Sequence, residues 1–295
     1  MVPELSPALR RGWTTGACAA AASRAAFAAM LTGHFPDPVA IRLTRGGSAT
    51  FPLALAELNG TGSRAGVVKD AGDDPDITHG ALIIAETAWA APGSGIRFVA
   101  GDGVGTVTRA GLSLAVGEPA INPAPRALIR NMLMDAAADI GASPPDTTVT
   151  ISIPGGDRLA EKTMNARLGI VGGLSVLGTT GIVVPYSCSS WIHAIQRGID
   201  VARAAGYAHV AAATGSTSER AVQRLYDLPE AALIDMGDFV GGTLKYLRRH
   251  PVPRLTLAGG FAKIAKLAQG HLDLHSSRSR VNAAALADML AALGA

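Results

Sequence analysis

A run of small residues directly after Thr14-Thr15-Gly16 is the feature that most limits how this chain folds. Almost every position from Ala17 to Met30 is alanine or another small or apolar residue, so a helix formed there has almost no polar face. A helix that is apolar on all sides is buried rather than laid on a surface. Threonine just before the run supplies an N-cap. We therefore predict a central buried helix that packs closely against a sheet.

The rest of the first half mixes strands with one further helix. Apolar alternation on both sides of Gly46-Gly47 predicts a hairpin over residues 38–55. Residues 77–88 fit one face of a helix, although a strand over 81–86 fits as well. Prolines before residue 126 indicate the start of a helix that reaches residue 140. Further strands are predicted over 67–68, 96–100, 105–108 and 147–154.

Beyond about Tyr186 helices and strands alternate, a pattern typical of a parallel sheet with helical crossovers. The predicted helices span 190–205, 218–226, 238–250, 261–268 and 282–293, and the predicted strands span 209–214, 232–236 and 254–258. We predict an α+β N-terminal domain over residues 1–165. An α/β C-terminal domain with a largely parallel sheet follows over residues 166–295. It opens with a glycine-rich loop at 167–185 that presses against other backbone or a ligand.

Composition excludes several classes of protein. A net charge of +3, with only 17% charged and 4% aromatic residues, argues against a nucleic-acid-binding protein. The two cysteines, Cys18 and Cys188, cannot build a disulfide framework or a cysteine zinc site. The apolar tract 17–31 is interrupted and too short to span a membrane, and residues 1–12 lack the apolar core of a secretory signal. We expect a cytoplasmic protein without a membrane segment.

Two motifs in the first half carry groups suited to binding. The Thr14-Thr15-Gly16 turn places backbone N–H groups at a helix start, where anions bind, although it also fits a simple cap. Asp70, Asp73, Asp74 and Asp76 put four carboxylates within seven residues. Their spacing differs from that of a calcium loop, so metal binding is the weakest interpretation. Contact with a cationic part of a cofactor and plain turn formation both remain open.

Other candidate motifs are less specific. Gly101-Asp102-Gly103-Val104-Gly105 resembles a nucleotide-binding glycine fingerprint, but a strand follows where a helix is required. Loops 214–219 and 259–260 follow predicted parallel strands, and ligands bind at such strand ends. His271 and His275 would share one helix face, but no third metal ligand accompanies them. We predict no metal site.

Eight motifs, taken together and in order, resemble one family over nearly the whole chain. They are 14–21 (TTGACAAA), 68–80 (VKDAGDDPDITHG), 103–108 (GVGTVT), 119–123 (PAINP) with Arg126, Lys162-Thr163 with Asn165, 167–170 (RLGI), 177–183 (LGTTGIV) and His275-Ser276. This set resembles the cobalt-precorrin-5B C(1)-methyltransferases of the anaerobic cobalamin pathway, the CbiD family. The resemblance implies methyl transfer from S-adenosylmethionine to ring carbon C-1 of a cobalt tetrapyrrole, which gives cobalt-precorrin-6A. It also implies a fold other than the standard Rossmann methyltransferase, with cobalt present only as part of the substrate.

Candidate site residues follow from these motifs and from the chemistry of the two ligands. As catalytic residues we nominate Asp70 and Asp73, either of which would remove a proton if one must leave. The cofactor-binding candidates are Thr14, Thr15, Gly16, Asp74, Gly103, Gly105, Thr179, Thr180 and Gly181. Basic and polar groups suit a substrate that carries several carboxylate arms. The substrate-binding candidates are Lys69, Arg126, Lys162, Asn165, Arg167, His275 and Ser276.

The predicted mechanism relies on positioning. Holding a methyl group in line with a ring carbon accelerates transfer without a protein nucleophile. Two other classes of function stay open: a small-molecule kinase that binds nucleotide or phosphate, and a non-catalytic tetrapyrrole carrier. The kinase reading lacks a phosphate loop ending in Lys-Ser or Lys-Thr. Partners other than the tetrapyrrole are not indicated, and a homodimer is left open.

Overall fold

Helix α1 (Thr15–Thr32) forms the interior of the first half in the computed structural model, which describes residues 9–143 and 146–294. Its residues are buried on all faces from Thr15 to Ala29, apart from the half-buried Arg24 and Ala28. Small side chains let this helix lie close to its neighbours, because little volume separates the backbones. The predicted central helix is therefore confirmed.

The chain divides into two compact units. Unit 1 comprises Met1–Thr108 and Ser113–Ser187, and unit 2 comprises Arg109–Leu112 and Cys188–Ala295. The glycine-rich loop 167–185, which we predicted to open the second domain, lies in unit 1. Backbone pairing explains this position, since both short strands of the segment pair with strands from the first 110 residues.

Unit 1 contains a mixed sheet together with small two-stranded sheets. Its helices in the described residues are α1, α2 (Pro123–Ala138) and α3 (Gly156–Ala160). Its strands there, in chain order, are β1 (Gly12–Trp13), β2 (Val39–Arg42), β3 (Ser48–Phe51), β4 (Leu55–Asn59), β5 (Gly62–Val68), β6 (Leu82–Trp89), β7 (Ile96–Ala100), β8 (Thr106–Val107), β9 (Thr147–Ser152), β10 (Ile170–Val171) and β11 (Ile182–Val183).

The largest sheet of the described residues has five strands in the order β4-β5-β6-β9-β7, antiparallel except for the parallel pair β7 and β9. Helix α1 packs against β5 and β6 of this sheet and against helix α2. The predicted hairpin is confirmed as the antiparallel pair β2 and β3. Helix α2 begins at Pro123, three residues earlier than predicted, because proline is tolerated in a first helical turn.

The helical interpretation of residues 77–88 is wrong, and the alternative strand is correct. Strand β6 is paired on both sides, by β5 and by β9. Ile83, Ile84 and Ala85 are all buried in succession, so both faces of this strand are covered. A strand covered on both faces loses the alternation that distinguishes it from a buried helix.

Unit 2 has the predicted alternation of helices and parallel strands. Strand β12 (His209–Ala213) pairs in parallel with β13 (Leu233–Asp235) on one side and with β14 (Arg254–Ala258) on the other. The helices in its described part are α4 (Cys188–Ala204), α5 (Ser216–Tyr226), α6 (Val240–Leu247), α7 (Phe261–Ala268) and α8 (Ala283–Ala292). Among the residues described for the whole chain, no helix has the length and apolar content needed to cross a membrane.

Candidate functional site

The short strand β1 brings three of the sequence motifs together. It pairs antiparallel with β11, which ends the 177–183 motif. The Trp13 N–H donates to the carbonyl oxygen of Asp70 at 2.7 Å, and the Thr14 N–H donates to the carbonyl oxygen of Gly181 at 3.0 Å. The helix start, the aspartate loop and the 177–183 motif are therefore linked through backbone hydrogen bonds, although Thr14 and Gly181 are 167 positions apart along the chain.

The start of α1 is closed by protein groups. Thr14 is the N-cap, and its Oγ1 accepts from the Ala17 N–H at 3.1 Å. The Gly16 N–H donates to the carbonyl oxygen of Leu177 at 2.9 Å. Thr14 and Thr15 are both buried. These first-turn donors are already used, so the geometry does not support the expected binding of a ligand carboxylate at this helix start.

Glycine at position 178 is required by the close approach of this loop to the helix cap. Gly178 has a φ of +123°, and a Cβ added there would lie 2.3 Å from the Cβ of Thr14. Gly16 is similarly confined, because its added Cβ would lie 2.8 Å from the Cγ of Pro125. Both glycines thus serve the packing of the 177–181 loop and α2 onto the start of α1.

Arg10 holds the aspartate loop from the side chain and from the backbone. Its guanidinium makes a bidentate ion pair with Asp70, in which the Nη2 to Oδ1 distance is 2.9 Å. Its N–H donates to Asp73 Oδ2 at 2.6 Å, and its carbonyl oxygen accepts from the Asp73 N–H at 2.9 Å. Arg10 and Asp70 are 60 positions apart, and no motif in the sequence marks this arginine as part of the site.

The ion pair makes Asp70 a poor general base. The hydrogen bonds from Arg10, followed by the one from the Gly72 N–H, lower the pKa of Asp70 to about 2. An efficient base has a pKa near the working pH. Asp70 is therefore a fixed anion, and of the two catalytic candidates Asp73, whose side chain is exposed, stays the predicted base.

The remaining aspartates of the loop, Asp74 and Asp76, accept hydrogen bonds from different parts of the chain. Asp74 Oδ1 accepts from the N–H of Tyr186 at 2.9 Å and so anchors the backbone that follows β11. Tyr186 has a positive φ of 56° at this point. Asp76 instead faces the interior, where it accepts from the Thr78 N–H at 2.8 Å.

The buried ammonium group of Lys69 binds other protein groups, contrary to the expectation that it binds the substrate. Its side chain is only 1% exposed, and its ammonium donates to Asp76 and to Thr78. Burial is the largest single influence on the pKa of Asp76 and raises it, but the charge of Lys69 together with the hydrogen bonds from Lys69 and Thr78 outweighs burial, so the pKa is lowered. Cys18 is also buried, and burial raises the pKa of its thiol to about 12, which leaves it unreactive at neutral pH.

His79 is a second residue that the site predictions left out, although it lies within the 68–80 motif. Its Nδ1 accepts from the Ala71 N–H at 3.1 Å and lies 3.8 Å from Asp70 Oδ1. An amide that donates to Nδ1 leaves the ring proton on Nε2. The half-exposed ring thus stands beside the Arg10–Asp70 pair.

Gly103 and Gly105 lie where two pieces of backbone meet. The Gly105 N–H donates to the carbonyl oxygen of Leu174 at 2.9 Å, and the Leu174 N–H donates to that of Gly103 at 2.9 Å. A Cβ on Gly103 would lie 1.9 Å from the carbonyl oxygen of Ile153. The close approach of the two backbone segments explains why residues without a side chain are present at both positions. Cofactor contact at Gly103 and Gly105 stays a prediction.

Within the 177–183 motif, the two threonines differ in their surroundings. Thr180 Oγ1 is 3.2 Å from the Ile182 N–H and 3.1 Å from the Ile182 carbonyl oxygen, which closes a local turn. Thr179 is exposed. Gly181 has a φ of +86° and faces the Leu43 side chain of the β2–β3 turn.

The predicted substrate-binding groups fall into two sets. Arg126 is used internally: its Nε donates to the carbonyl oxygen of Ile121 at 2.7 Å, and its Nη1 is 3.2 Å from Glu118. Asn165 Nδ2 donates to the carbonyl oxygen of Gly173 at 3.0 Å. Lys162 is exposed and Arg167 is half-buried, and contact of these two residues with a substrate stays a prediction.

His275 and Ser276 lie in unit 2, on the segment between α7 and α8. Both are exposed, and His275 Nδ1 is 2.7 Å from Ser277 Oγ. Helix α7 ends at Ala268, so His271 and His275 do not share a helix face. Contact of His275 and Ser276 with the substrate stays a prediction. Across residues 9–143 and 146–294, no three His, Cys, Asp or Glu side chains are grouped so that they could hold a metal ion.

Comparison with known proteins gives consistent results. The CbiD family model matches residues 3–185. A relative from Halorhodospira halophila named cobalt-precorrin-5B C(1)-methyltransferase is 62% identical over 292 residues, which are 99% of this chain and 78% of the relative. A relative of the same name from Paramagnetospirillum magneticum is 61% identical, over 98% of this chain and 80% of its own length.

A crystal structure described as the cobalamin biosynthesis protein cbiD from Archaeoglobus fulgidus is 28% identical to this chain. It superimposes with a TM-score of 0.49 and covers 92% of this chain and 83% of its own. The family assignment rests on the sequence matches. With a family model matching residues 3–185 and relatives above 60% identity along nearly the whole length, the chain belongs to the CbiD family.

Proposed function

We propose that this protein transfers a methyl group from S-adenosylmethionine to ring carbon C-1 of cobalt-precorrin-5B and so produces cobalt-precorrin-6A in cobalamin biosynthesis. The observation that carries the proposal is the 62% identity over 99% of the chain to a relative named cobalt-precorrin-5B C(1)-methyltransferase. A kinase and a non-catalytic carrier, the two other classes considered, have no such support.

The arrangement around β1 suits a positioning mechanism. Transfer is an in-line displacement in which the macrocycle supplies the electron pair and S-adenosylmethionine supplies an activated methyl group. Enzymes gain much of their acceleration in such reactions by aligning the reactants. The residues linked through β1 are held by backbone hydrogen bonds and tight glycine contacts, which is the rigidity that alignment needs.

The donor set of the aspartate loop fits the methyl donor. S-adenosylmethionine carries a sulfonium cation, an ammonium group and ribose hydroxyls, all of which are attracted to carboxylates. Asp70 is a permanent anion at neutral pH, and Asp73 is exposed beside it. We assign Asp70 an electrostatic role and keep Asp73 as the base if a proton must be removed. Asp74 positions the backbone after β11.

Substrate carboxylates need cations, and exposed basic side chains can reach a ligand. Lys162 is exposed, and the exposed Arg130 lies over the Phe98 ring with its Cζ 4.9 Å from the ring centroid. We propose that Lys162, Arg130 and Arg167 bind carboxylate arms of the macrocycle, because guanidinium and ammonium groups suit these ligands. Arg126 and Lys69 are instead assigned to holding unit 1 together.

The proposal extends to the fold. We propose that the chain is an α+β domain followed by an α/β domain and differs from the standard Rossmann methyltransferase. The strand after Gly105 supports this view, since a Rossmann glycine motif is followed by a helix. The homodimer considered from the sequence stays a hypothesis that sedimentation would test.

Anaerobic incubation tests the function directly. The purified protein, cobalt-precorrin-5B and S-adenosylmethionine are combined, and the tetrapyrrole is weighed by mass spectrometry. We expect the product mass to rise by one methyl group only when all three components are present. A pigment that binds with unchanged mass would support the carrier, and calorimetric binding of ATP without binding of S-adenosylmethionine would support the kinase.

A further inference from the structure

The segment that connects α7 to α8, which we call the 269–282 loop, is packed onto the carboxyl end of strand β13 in unit 2. Leu274 is fully buried, and its N–H donates to the carbonyl oxygen of Asp238, just after β13, at 3.1 Å. The Gly241 N–H in the first turn of α6 donates to the carbonyl oxygen of Leu272 at 2.8 Å. The loop is therefore fixed at one edge of the unit 2 sheet.

Hydrogen bonds within the loop hold it in a closed conformation. Gln269 and Asn282 join its two ends, with Nε2 to carbonyl oxygen at 3.0 Å and N–H to Oε1 at 2.9 Å. Ser279 is buried, and its hydroxyl donates to the carbonyl oxygen of Asp273 at 2.7 Å. Compact loops whose ends lie close together and whose own side chains pack them frequently carry binding residues.

Two lysines of α7 donate to the same carbonyl oxygen of the loop. Lys263 Nζ lies 3.2 Å and Lys266 Nζ lies 3.0 Å from the oxygen of Leu274. Lys263 also forms an ion pair with Asp238. Lys266 is only 6% exposed, yet no carboxylate in residues 9–143 and 146–294 forms an ion pair with it. Because a buried lysine is normally paired, its uncompensated charge favours an anion near the loop.

The exposed side chains of the loop add to this positive charge. Arg278 and Arg280 are exposed, as is His275. The one carboxylate in the sequence of the loop belongs to Asp273, and its Oδ1 accepts from the His275 N–H at 3.1 Å. Together with Lys266, the two arginines make three cations against this carboxylate, so the loop attracts anions.

The strand order of unit 2 predicts a ligand crevice beside α7. The chain passes from β12 to β13 on one side and then to β14 on the other, so its connections diverge between β12 and β14. Parallel sheets bind ligands outside the carboxyl ends of the strands at such a point. Gly259 follows β14 there, and a Cβ on it would lie 3.1 Å from the Oγ1 of Thr214, which follows β12. Helix α7, which carries both lysines, begins two residues later at Phe261.

We infer that unit 2 binds carboxylate arms of the tetrapyrrole through His275, Arg278 and Arg280 of the 269–282 loop, with Lys263 and Lys266 as positioning residues; this inference rests on the proposed function. The excess of positive charge repels the sulfonium and ammonium groups of S-adenosylmethionine, whereas it attracts the several acetate and propionate arms of the macrocycle. Guanidinium groups also match the planar shape of a carboxylate, with which they form paired hydrogen bonds.

Anaerobic titration of the full chain with cobalt-precorrin-5B, followed by absorbance, tests the assignment without relying on turnover. We expect Arg278→Gln/Arg280→Gln to weaken binding by about tenfold or more, because charged hydrogen bonds to the arms are lost. The affinity of this variant should also fall less steeply with added salt than that of the wild type. The matched control Arg248→Gln/Arg249→Gln removes two exposed arginines after α6 in the same unit. The control should bind the tetrapyrrole within about twofold of the wild type.

Lys266→Met tests whether the buried lysine acts through the loop. Methionine keeps the length of the side chain but removes the donor to the Leu274 oxygen. Binding of cobalt-precorrin-5B should weaken, and Arg278→Gln/Arg280→Gln should then cost less than half the factor that it costs in the wild type, because the arginines are no longer held in place. Lys263→Met, at the other donor to this oxygen, should show the same coupling. Losses that multiply independently in both backgrounds would overturn the positioning role.

The outcomes separate this inference from the proposed function. Wild-type tetrapyrrole affinity in Arg278→Gln/Arg280→Gln, an equal loss in the control, or a loss confined to calorimetric binding of S-adenosylhomocysteine overturns the loop assignment and leaves the function standing. Absence of cobalt-precorrin-5B binding by the wild type also overturns the assignment. If the affinities change as expected but no methylated tetrapyrrole forms, the assignment stands and the proposed function fails.

Discussion

Asp70 illustrates how a partner distant in sequence sets the chemistry of a single carboxyl group. From the sequence, Asp70 and Asp73 were equivalent candidates for the base. The structure separates them, because Arg10 pairs with the side chain of Asp70 and lowers its pKa to about 2. Local spacing carries no information about this distant arginine, so the ion pair could not be predicted from the sequence.

The Arg10–Asp70 pair predicts a specific dependence of stability on pH. The pKa of Asp70 is lower in the folded protein than its ordinary value of 3.8, so the ionised carboxylate stabilises the fold above about pH 4. This contribution is lost as the pH falls through about 2. We expect the difference in unfolding free energy between wild type and Asp70→Asn to shrink steadily from pH 4 to pH 2. A difference that stays constant over this range, measured by urea unfolding, would contradict the ion pair.

Replacement of Asp73 by asparagine tests the exposed member of the loop. Asparagine keeps an oxygen that accepts from the Arg10 N–H, so the fold should be unaffected. Turnover should fall by about tenfold or more, because the charge that faces the donor is removed. Methyl transfer and thermal unfolding are measured in parallel, with Asp157→Asn, an exposed aspartate elsewhere in unit 1, as the control. Unchanged turnover would remove Asp73 from the site.

Lys69 and Asp76 form a pair whose importance is structural. Lys69→Met keeps the length of the buried side chain but leaves Asp76 without its counter-ion. We expect a loss of about 3 kcal/mol in unfolding free energy, since an unpaired buried charge is costly. The double variant Lys69→Met/Asp76→Asn should recover at least half of that loss. If Lys69→Met is as stable as the wild type, the pair does not hold the loop.

Among the elements, α1 was predictable and β6 was not, for related reasons. The composition of α1 leaves it no polar face, so its burial follows from the sequence alone. Strand β6 is buried on both faces, so its apolar run fits a helix and a strand equally well. Only its pairing with β5 and β9, which depends on distant residues, decides between the two.

The packing of the 177–181 loop onto the α1 cap is testable with two glycines. Gly178 and Gly172 both have positive φ, so alanine strains the backbone at either position. Only at Gly178 would the new Cβ collide with Thr14, because nothing lies within 4 Å of a Cβ at Gly172. Gly178→Ala should therefore destabilise the protein by at least about 1 kcal/mol more than Gly172→Ala. Equal losses in chemical denaturation would show that the loop tolerates movement away from the cap.

On the scale of the whole molecule, the family model and the unit boundary agree. The CbiD model matches residues 3–185, and unit 1 ends at Ser187. Our predicted boundary at residue 165 lies before the end of unit 1, because a glycine-rich segment that precedes an α/β pattern is typical of the start of a new domain. Its two short strands, β10 and β11, instead pair with β8 and β1. Pairs of two residues are too short to be recognised in a sequence.

The candidate site residues also divide into features that the sequence could predict and features that it could not. The motifs at the α1 start, in the aspartate loop and at 177–183 meet in unit 1 through backbone hydrogen bonds. The sequence could not show which polar groups already form hydrogen bonds within the protein. Lys69 and Arg126 have the right charge for the substrate, but internal hydrogen bonds occupy them.

The position of the transferred methyl group tests the central claim most directly. The protein is incubated anaerobically with cobalt-precorrin-5B and S-adenosylmethionine carrying a carbon-13 methyl group, and the product is examined by NMR after removal of paramagnetic species. We predict a single labelled methyl group bonded to ring carbon C-1. A label on another ring atom, or a product with no label at all, would contradict the account.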